Sequence, residues 1–201
     1  HLWVYSNECD MKLSPLSDYT PGQQVSVIAN DGKPLGTAYV NPHSLILARM
    51  ISRKPTQLLD QSLMVHRIKV ALSLRERFFD KPFFRLVYGD SDFLAGLVVD
   101  RFGDVLVAQL NTAGMDAMRD EVVAALDKVL KPRAILLRND SSSRLQEGLE
   151  QVVETALGEV PEVVEIEENN TRFEVPMLTG QKTGWFYDHR LNRARVQNLA
   201  G

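Results

Sequence analysis

At 201 residues the chain is long enough for one large or two small domains with a substantial core. Its 44% apolar and 24% charged residues are those of a globular protein in water, and no apolar run approaches the roughly 20 residues of a membrane-spanning helix. The formal net charge of -3 conceals a segregation: residues 1–85 hold 11 Lys and Arg against 7 acids, 86–175 hold 8 against 18, and 176–201 hold 4 against 1. A polyanion would approach the two basic ends and avoid the acidic middle. The single cysteine, Cys9, excludes an internal disulfide and a multi-Cys zinc site, and fits a reducing, cytoplasmic compartment. The chain opens on His1-Leu2-Trp3-Val4-Tyr5 without the basic region of a signal peptide, and without Met, so upstream residues are left open.

Residues 1–55 read as a small β-rich unit. Val25-Ser26-Val27-Ile28-Ala29 alternates after the turn signal Thr20-Pro21-Gly22. Asn30-Asp31-Gly32-Lys33-Pro34 turns the chain into a second strand, Leu35 to Val40. Asn41-Pro42-His43-Ser44 breaks it, and Leu45 to Ile51 forms a third. Short strands with Gly and Pro turns predict a small barrel or sandwich. Residues 60–79 read as a helix capped by Asp60, with Met64, Ile68, Ala71, Leu72 and Phe79 on one face and Arg67, Lys69, Arg75 and Arg77 off it. Those cations form either a phosphate-facing side or a solvated face. Phe78, Phe79, Phe83 and Phe84 read as core between domains.

Residues 84–175 read as a separate α+β unit. A strand at Arg85–Tyr88 is followed by a hairpin of Leu97–Asp100 with Val105–Leu110, Gly103 taking a left-handed position. An amphipathic helix spans 115–130 and ends at Lys131-Pro132. Ala134–Leu137 is a buried strand, and Val163–Glu167 with Thr171–Val175 forms a last hairpin turned at Asn169-Asn170. The polar run Arg138 to Leu149 follows a strand end, where it is either a site or a helix cap.

The phosphate loop, the dinucleotide glycine fingerprint and the nucleophile elbow are all missing, and His1, His43, His66 and His189 lack metal-ligand spacing. Residues 179–193 are different. They concentrate two glycines, Lys182, Asp188, Arg190, Arg193 and the adjacent aromatics Trp185, Phe186 and Tyr187, and do not read as core.

Four stretches carry a resemblance. The order of strand, Asp31-Gly32, Leu35-Gly36-Thr37-Ala38-Tyr39, Asn41-Pro42-His43-Ser44 and a strand with Arg49 resembles a PUA domain, an RNA-binding pseudo-barrel. Gly180-Gln181-Lys182-Thr183-Gly184-Trp185-Phe186-Tyr187-Asp188-His189-Arg190-Leu191-Asn192-Arg193 resembles the signature of S-adenosylmethionine-dependent rRNA methyltransferases that make 5-methylcytosine in the bacterial large subunit. The segments Asp90 to Phe102 and Arg144 to Leu149 resemble that family as well, with Ala95 where Pro is common and Trp185 where Phe is usual.

The resemblance implies an α+β architecture in three parts. Residues 1–72 would be a PUA-like β pseudo-barrel with a connecting helix, 73–175 a strand-strand-helix-strand-strand domain, and 176–201 the first segment of a Rossmann-like methyltransferase domain. It implies S-adenosylmethionine as cofactor, with Thr183, Gly184, Trp185, Phe186, Asp188 and Arg190 lining its pocket. Gly180 and Gly184 would admit close approach of the ligand, the aromatic rings would wall it, and Arg190 would pair with its carboxylate or fix Asp188. It implies RNA as partner, met through Arg49, Arg53, Lys54 and Arg67; no metal and no membrane are expected, and a homodimer is open. Cytosine-5 chemistry needs a cysteine nucleophile. Cys9 lies in the PUA-like region, so the nucleophile is expected beyond residue 201, and the chain alone is expected neither to hold the cofactor nor to transfer a methyl group. The competing readings are a non-catalytic PUA-type RNA-binding module and a protein-interaction module using the acidic middle.

Overall fold

The computed structural model describes residues 2–180 and 182–199; His1, Gln181, Ala200 and Gly201 lie outside the described residues, and of these Gln181 belongs to the signature-like stretch read above. The fold is mixed α+β and built on three sheets. The first sheet comes from β1 (Trp3–Val4), β2 (Gln24–Ile28), β3 (Pro34–Val40) and β4 (Ala48–Ser52), in the order β1-β4-β3-β2 with antiparallel neighbours. It is open: β1 and β2 are its edges, where the sequence suggested a pseudo-barrel. Gly36 sits at φ +142, and a Cβ there would fall 2.0 Å from the Ser52 carbonyl oxygen, so β3 and β4 can close only around glycine at this bulge.

Asp60 caps α1 (Gln61–Arg75), accepting from the Leu63 N–H at 2.7 Å. Its buried side, Met64, Val65, Ile68 and Ala71, packs with the helix Arg119–Leu130 and the strand Phe83–Tyr88 of the central unit, in one core with Ile51 of the first sheet.

The central sheet orders β5 (Phe83–Tyr88), β6 (Leu97–Phe102), β7 (Val105–Leu110), β8 (Ala134–Asn139) and β9 (Val152–Gly158) in sequence. Only the β7–β8 pair is parallel, because the crossover through α2 (Ala113–Asp116) and α3 (Arg119–Leu130) returns the chain in the same direction. Three strands thus precede the helix and two follow it. The helix expected over 115–130 is broken at Ala117–Met118, and β9 has no counterpart in the sequence reading. A short α4 (Ser142–Gln146) lies between β8 and β9.

Every residue of β7 and β8 is buried, and period-two alternation sorts them. Leu106, Ala108, Leu110, Ile135 and Leu137 face α1 and α3, in one core with Tyr39, Ile51 and Leu59 from the first sheet and its exit. Val105, Val107 and Leu136 face the opposite side. There they meet the hairpin of β10 (Val163–Glu168) and β11 (Thr171–Pro176), whose turn residues Asn169 and Asn170 have φ +53 and +60. Of the four phenylalanines read as core, Phe84 is buried and Phe79 stacks on it at 5.5 Å, while Phe83 joins the second core and Phe78 is exposed.

The first sheet is welded to the central one by buried polar contacts. The Tyr39 hydroxyl donates to the Ala95 carbonyl at 2.5 Å and lies 3.1 Å from the Thr112 hydroxyl. Glu147 accepts from Asn41, Ser44 and Arg49, all of the first sheet and its loop. At the surface, the Trp3 indole N–H also donates to Asp90 across the junction.

Candidate cofactor and nucleic-acid sites

The second face of the central sheet is not purely apolar. It carries Arg85, Asp100 and Arg138 among Phe102, Val105 and Leu136, and buried charges need partners. Asp100 is fully buried and bound bidentately by Arg85, at 2.9 Å to each oxygen. It also accepts from the Thr183 hydroxyl at 2.5 Å. Arg138, 4% exposed, donates to the Met177 carbonyl at 3.1 Å, and to the Gly180 carbonyl and Asp140 at 2.8 Å each. Met177, Gly180 and Thr183 are therefore held down on the sheet by the buried Arg138 and by the buried Asp100, which the partly exposed Arg85 neutralises.

This changes the meaning of the signature glycines. A Cβ on Gly180 would meet the Pro176 carbonyl oxygen at 2.8 Å and the Gly184 Cα at 3.0 Å; Gly184, at φ +110, faces Val175. The close approach they allow within this structure is between the loop and β11.

Beyond the loop, Trp185 and Tyr187 join the second core, so the stretch that did not read as core covers the sheet. The Trp185 ring lies 4.9 Å from Phe173 and beneath the Arg193 guanidinium at 4.4 Å, and its N–H donates to Glu168. The Tyr187 hydroxyl donates to the Arg101 carbonyl at 2.8 Å, and burial pushes its pKa well above the ordinary tyrosine value. Glu168 is the hub. Its buried carboxylate accepts from Arg190 Nε at 3.1 Å, Arg193 Nε at 2.5 Å and Arg193 Nη2 at 3.1 Å. Burial pushes its pKa up, but the hydrogen bonds from Arg193, Arg190 and Trp185 outweigh it and hold the carboxyl below the ordinary range.

The Asp188–Arg190 partnership suggested by the sequence is replaced. The Arg190 guanidinium goes to Glu168 and the Phe83 carbonyl and stacks over Phe79 at 4.5 Å. Asp188 turns outward, 69% exposed, 3.6 Å from the His189 ring. Phe186 is half-buried, stacked on His189 at 5.6 Å with the Lys182 ammonium 5.1 Å from its centroid. Of the six residues expected at a cofactor, Thr183, Trp185 and Arg190 are committed to internal contacts. Gly184 turns its Cα toward Val175, and Phe186 and Asp188 remain along the outer side of the segment.

The four cations expected to meet RNA also divide. Arg49 is paired with Glu147 at 3.2 Å and lies over the Trp3 ring at 5.5 Å. Arg67 donates to the Phe93 and Ile51 carbonyls at 2.6 and 2.5 Å, and burial lowers its pKa. Arg75, on the same helix, is bound to Asp92. Arg53 and Lys54 are exposed at the end of β4. Arg49 and Arg67 thus brace the junction between the sheets and Arg75 is spent within the central domain, while Lys69 and Arg77 of the cationic helix face stay exposed.

Among the described residues, no cluster of His, Cys, Asp and Glu could hold a metal ion, and no helix is long and apolar enough to cross a membrane.

Residues 1–53 match the family model of a PUA-like domain. The whole chain is similar to proteins named Ribosomal RNA large subunit methyltransferase I. It is 36% identical to that of Pseudoalteromonas translucida over 183 residues, 89% of this chain and 46% of that protein. It is 34% identical to that of Erwinia tasmaniensis over 204 aligned positions, 100% of this chain and 51% of that protein. The chain spans about half the length of the curated relatives it matches. A Streptococcus mutans chain named as a SAM-dependent methyltransferase aligns with a TM-score of 0.78 at 24% identity, over 98% of this chain and 50% of that one. A second structure, named as a methyltransferase in complex with SAH, aligns with a TM-score of 0.80 at 23% identity, over 98% and 49%. These two likenesses establish the fold.

Proposed function

We propose that this chain is the RNA-handling part of an S-adenosylmethionine-dependent RNA methyltransferase acting on cytosine C5 of large-subunit ribosomal RNA. The observation that carries the reading is that similarity to the named rRNA methyltransferases runs through the PUA-like domain, the central sheet and the anchored segment alike. The relatives are about twice as long, which supports placing the catalytic core outside these 201 residues.

When bound, the cofactor supplies an electrophilic methyl group. The chain fits one wall of its site. The Asp100–Thr183 and Glu168–Arg190 contacts hold the segment rigid, and Gly184 and Phe186 are the residues we assign to cofactor contact. Lys182, whose ammonium lies near the Phe186 ring, is the group we assign to the ligand carboxylate. Cytosine-5 transfer also needs a thiolate nucleophile. Cys9 is half-buried in the PUA-like domain and is not assigned that role.

Incubating this chain with large-subunit rRNA and methyl-labelled S-adenosylmethionine is expected to give no transfer, whereas a longer chain continuing past Gly201 transfers. Turnover by the 201-residue chain would sink the division of labour. RNA binding is expected to be salt-dependent, and Lys54→Glu to lower the salt slope by about 0.7 for a single-stranded target. Arg67→Ala is expected to act on stability first, because its guanidinium ties β4 to the Phe93 turn.

A further inference from the structure

One cavity is not absorbed by the anchored segment. It has a volume of about 370 Å3 and is lined by Arg75, Phe79, Arg85, Tyr88, Tyr187 and Asp188. The end of α1, β5 and the turn preceding α5 (Arg190–Gln197) converge on it. Pockets of this size, from roughly 300 Å3 upward, accept small organic ligands.

Its walls are aromatic and partly pre-set. Phe79 is stacked on Phe84 and covered by Arg190. Tyr187 is pinned through its hydroxyl to the Arg101 carbonyl and tilts against Phe102 at 5.5 Å. Tyr88 stands at the rim, 57% exposed, with the Arg85 guanidinium 5.4 Å from its ring centroid.

Charge decides which ligand suits such a space. Arg75 is bidentate to Asp92 and Arg85 is bidentate to Asp100, so both guanidiniums are matched within the protein. Asp188 adds an outward carboxylate at the mouth. A phosphate would meet like charge there. A flat, uncharged ring bearing an amino group would find stacking partners and an acceptor.

We propose that this cavity is a subsite for an unpaired, amino-bearing nucleobase of single-stranded RNA, cytosine on the reading above, stacked on Tyr88 with its exocyclic amino group donating to Asp188. The inference rests on the RNA reading. Base–aromatic stacking accepts any base, whereas a carboxylate selects the cytosine N4 amino group over the uracil O4 oxygen.

The test is fluorescence anisotropy of the 201-residue chain with labelled oligocytidine and oligouridine at low salt, with SAH as a competitor. Tyr88→Ala is expected to weaken oligocytidine binding by about 5- to 150-fold. Asp188→Asn presents an amide that both donates and accepts, and is expected to bring the oligocytidine and oligouridine affinities together. Both side chains are exposed, so neither substitution empties the core. Oligocytidine affinity unchanged by both substitutions, with wild-type binding intact, overturns the subsite and leaves the RNA reading standing. Displacement of the oligonucleotide by SAH also overturns it, by assigning the cavity to the cofactor. Absence of RNA binding by the wild-type chain overturns the RNA reading itself.

Discussion

Removing the Glu147 carboxylate should loosen the junction between the PUA-like sheet and the central domain. The side chain is 7% exposed and receives four donors: Asn41 Nδ2 at 2.9 Å, Ser44 Oγ and Arg49 Nη2 at 3.2 Å, and the Ala113 N–H at 3.3 Å. Glu147→Ala leaves the Arg49 charge without its counter-ion and leaves the buried Asn41 amide and Ala113 N–H without that acceptor. Stripping one partner from a buried ion pair costs about 3–5 kcal/mol, and a buried donor left unsatisfied about 1–3 kcal/mol. Asn41 keeps its bond to the Glu147 backbone carbonyl, and Arg49 keeps its place over the Trp3 ring and 15% exposure. The expected loss is therefore near the lower end, about 3 kcal/mol. Glu147→Gln preserves shape and one acceptor oxygen, and is expected to cost about 1–2 kcal/mol. Urea unfolding followed by circular dichroism measures both. A loss below about 1 kcal/mol in Glu147→Ala would refute the view that this carboxylate organises the junction.

Two further perturbations probe other parts of the frame. A Cβ on Gly114 would lie 2.2 Å from the Tyr39 ring, so Gly114→Ala must displace a ring whose hydroxyl is bound to Ala95 and Thr112; the expected destabilisation is about 2–4 kcal/mol from overpacking and a lost hydrogen bond, and an unchanged melting temperature would contradict it. Glu168 has a folded pKa below its unfolded value of about 4.3, so its contribution is present above that pH and is lost as pH falls through the lower folded pKa. The stability gap between wild type and Glu168→Gln should accordingly be widest near neutrality and shrink below about pH 4; a gap constant from pH 7 to pH 3 would show that the two arginines do not respond to this charge.

Much of the frame was legible in the sequence because it is written locally. The Asp60 cap, the spacing of Met64, Ile68 and Ala71, and the Asn169-Asn170 turn each express a backbone or packing requirement within a few residues. Strand β9 escaped because it is an edge strand whose Val152 and Val153 stay 42% and 41% exposed, so burial imposes no clean alternation on it. Glu147 and Glu168 escaped for another reason. Their partners lie far off in sequence, 34–106 residues for Glu147 and 17–25 for Glu168.

The segment 177–193 shows the same boundary. Its composition marked it as unusual, and its likeness to the methyltransferase signature identified which residues to follow. Composition could not say which of its polar groups were already spent. Thr183 and Arg190 are taken by Asp100 and Glu168, while Asp188 is left outward beside Phe186. A sequence determines helical and strand periodicity, the glycines a turn or close approach demands, and the number of charges to be matched. Which carboxylate meets which guanidinium, and which one remains for a ligand, follows only when distant strands bring them together in a buried layer, where an unpaired charge is too costly to persist.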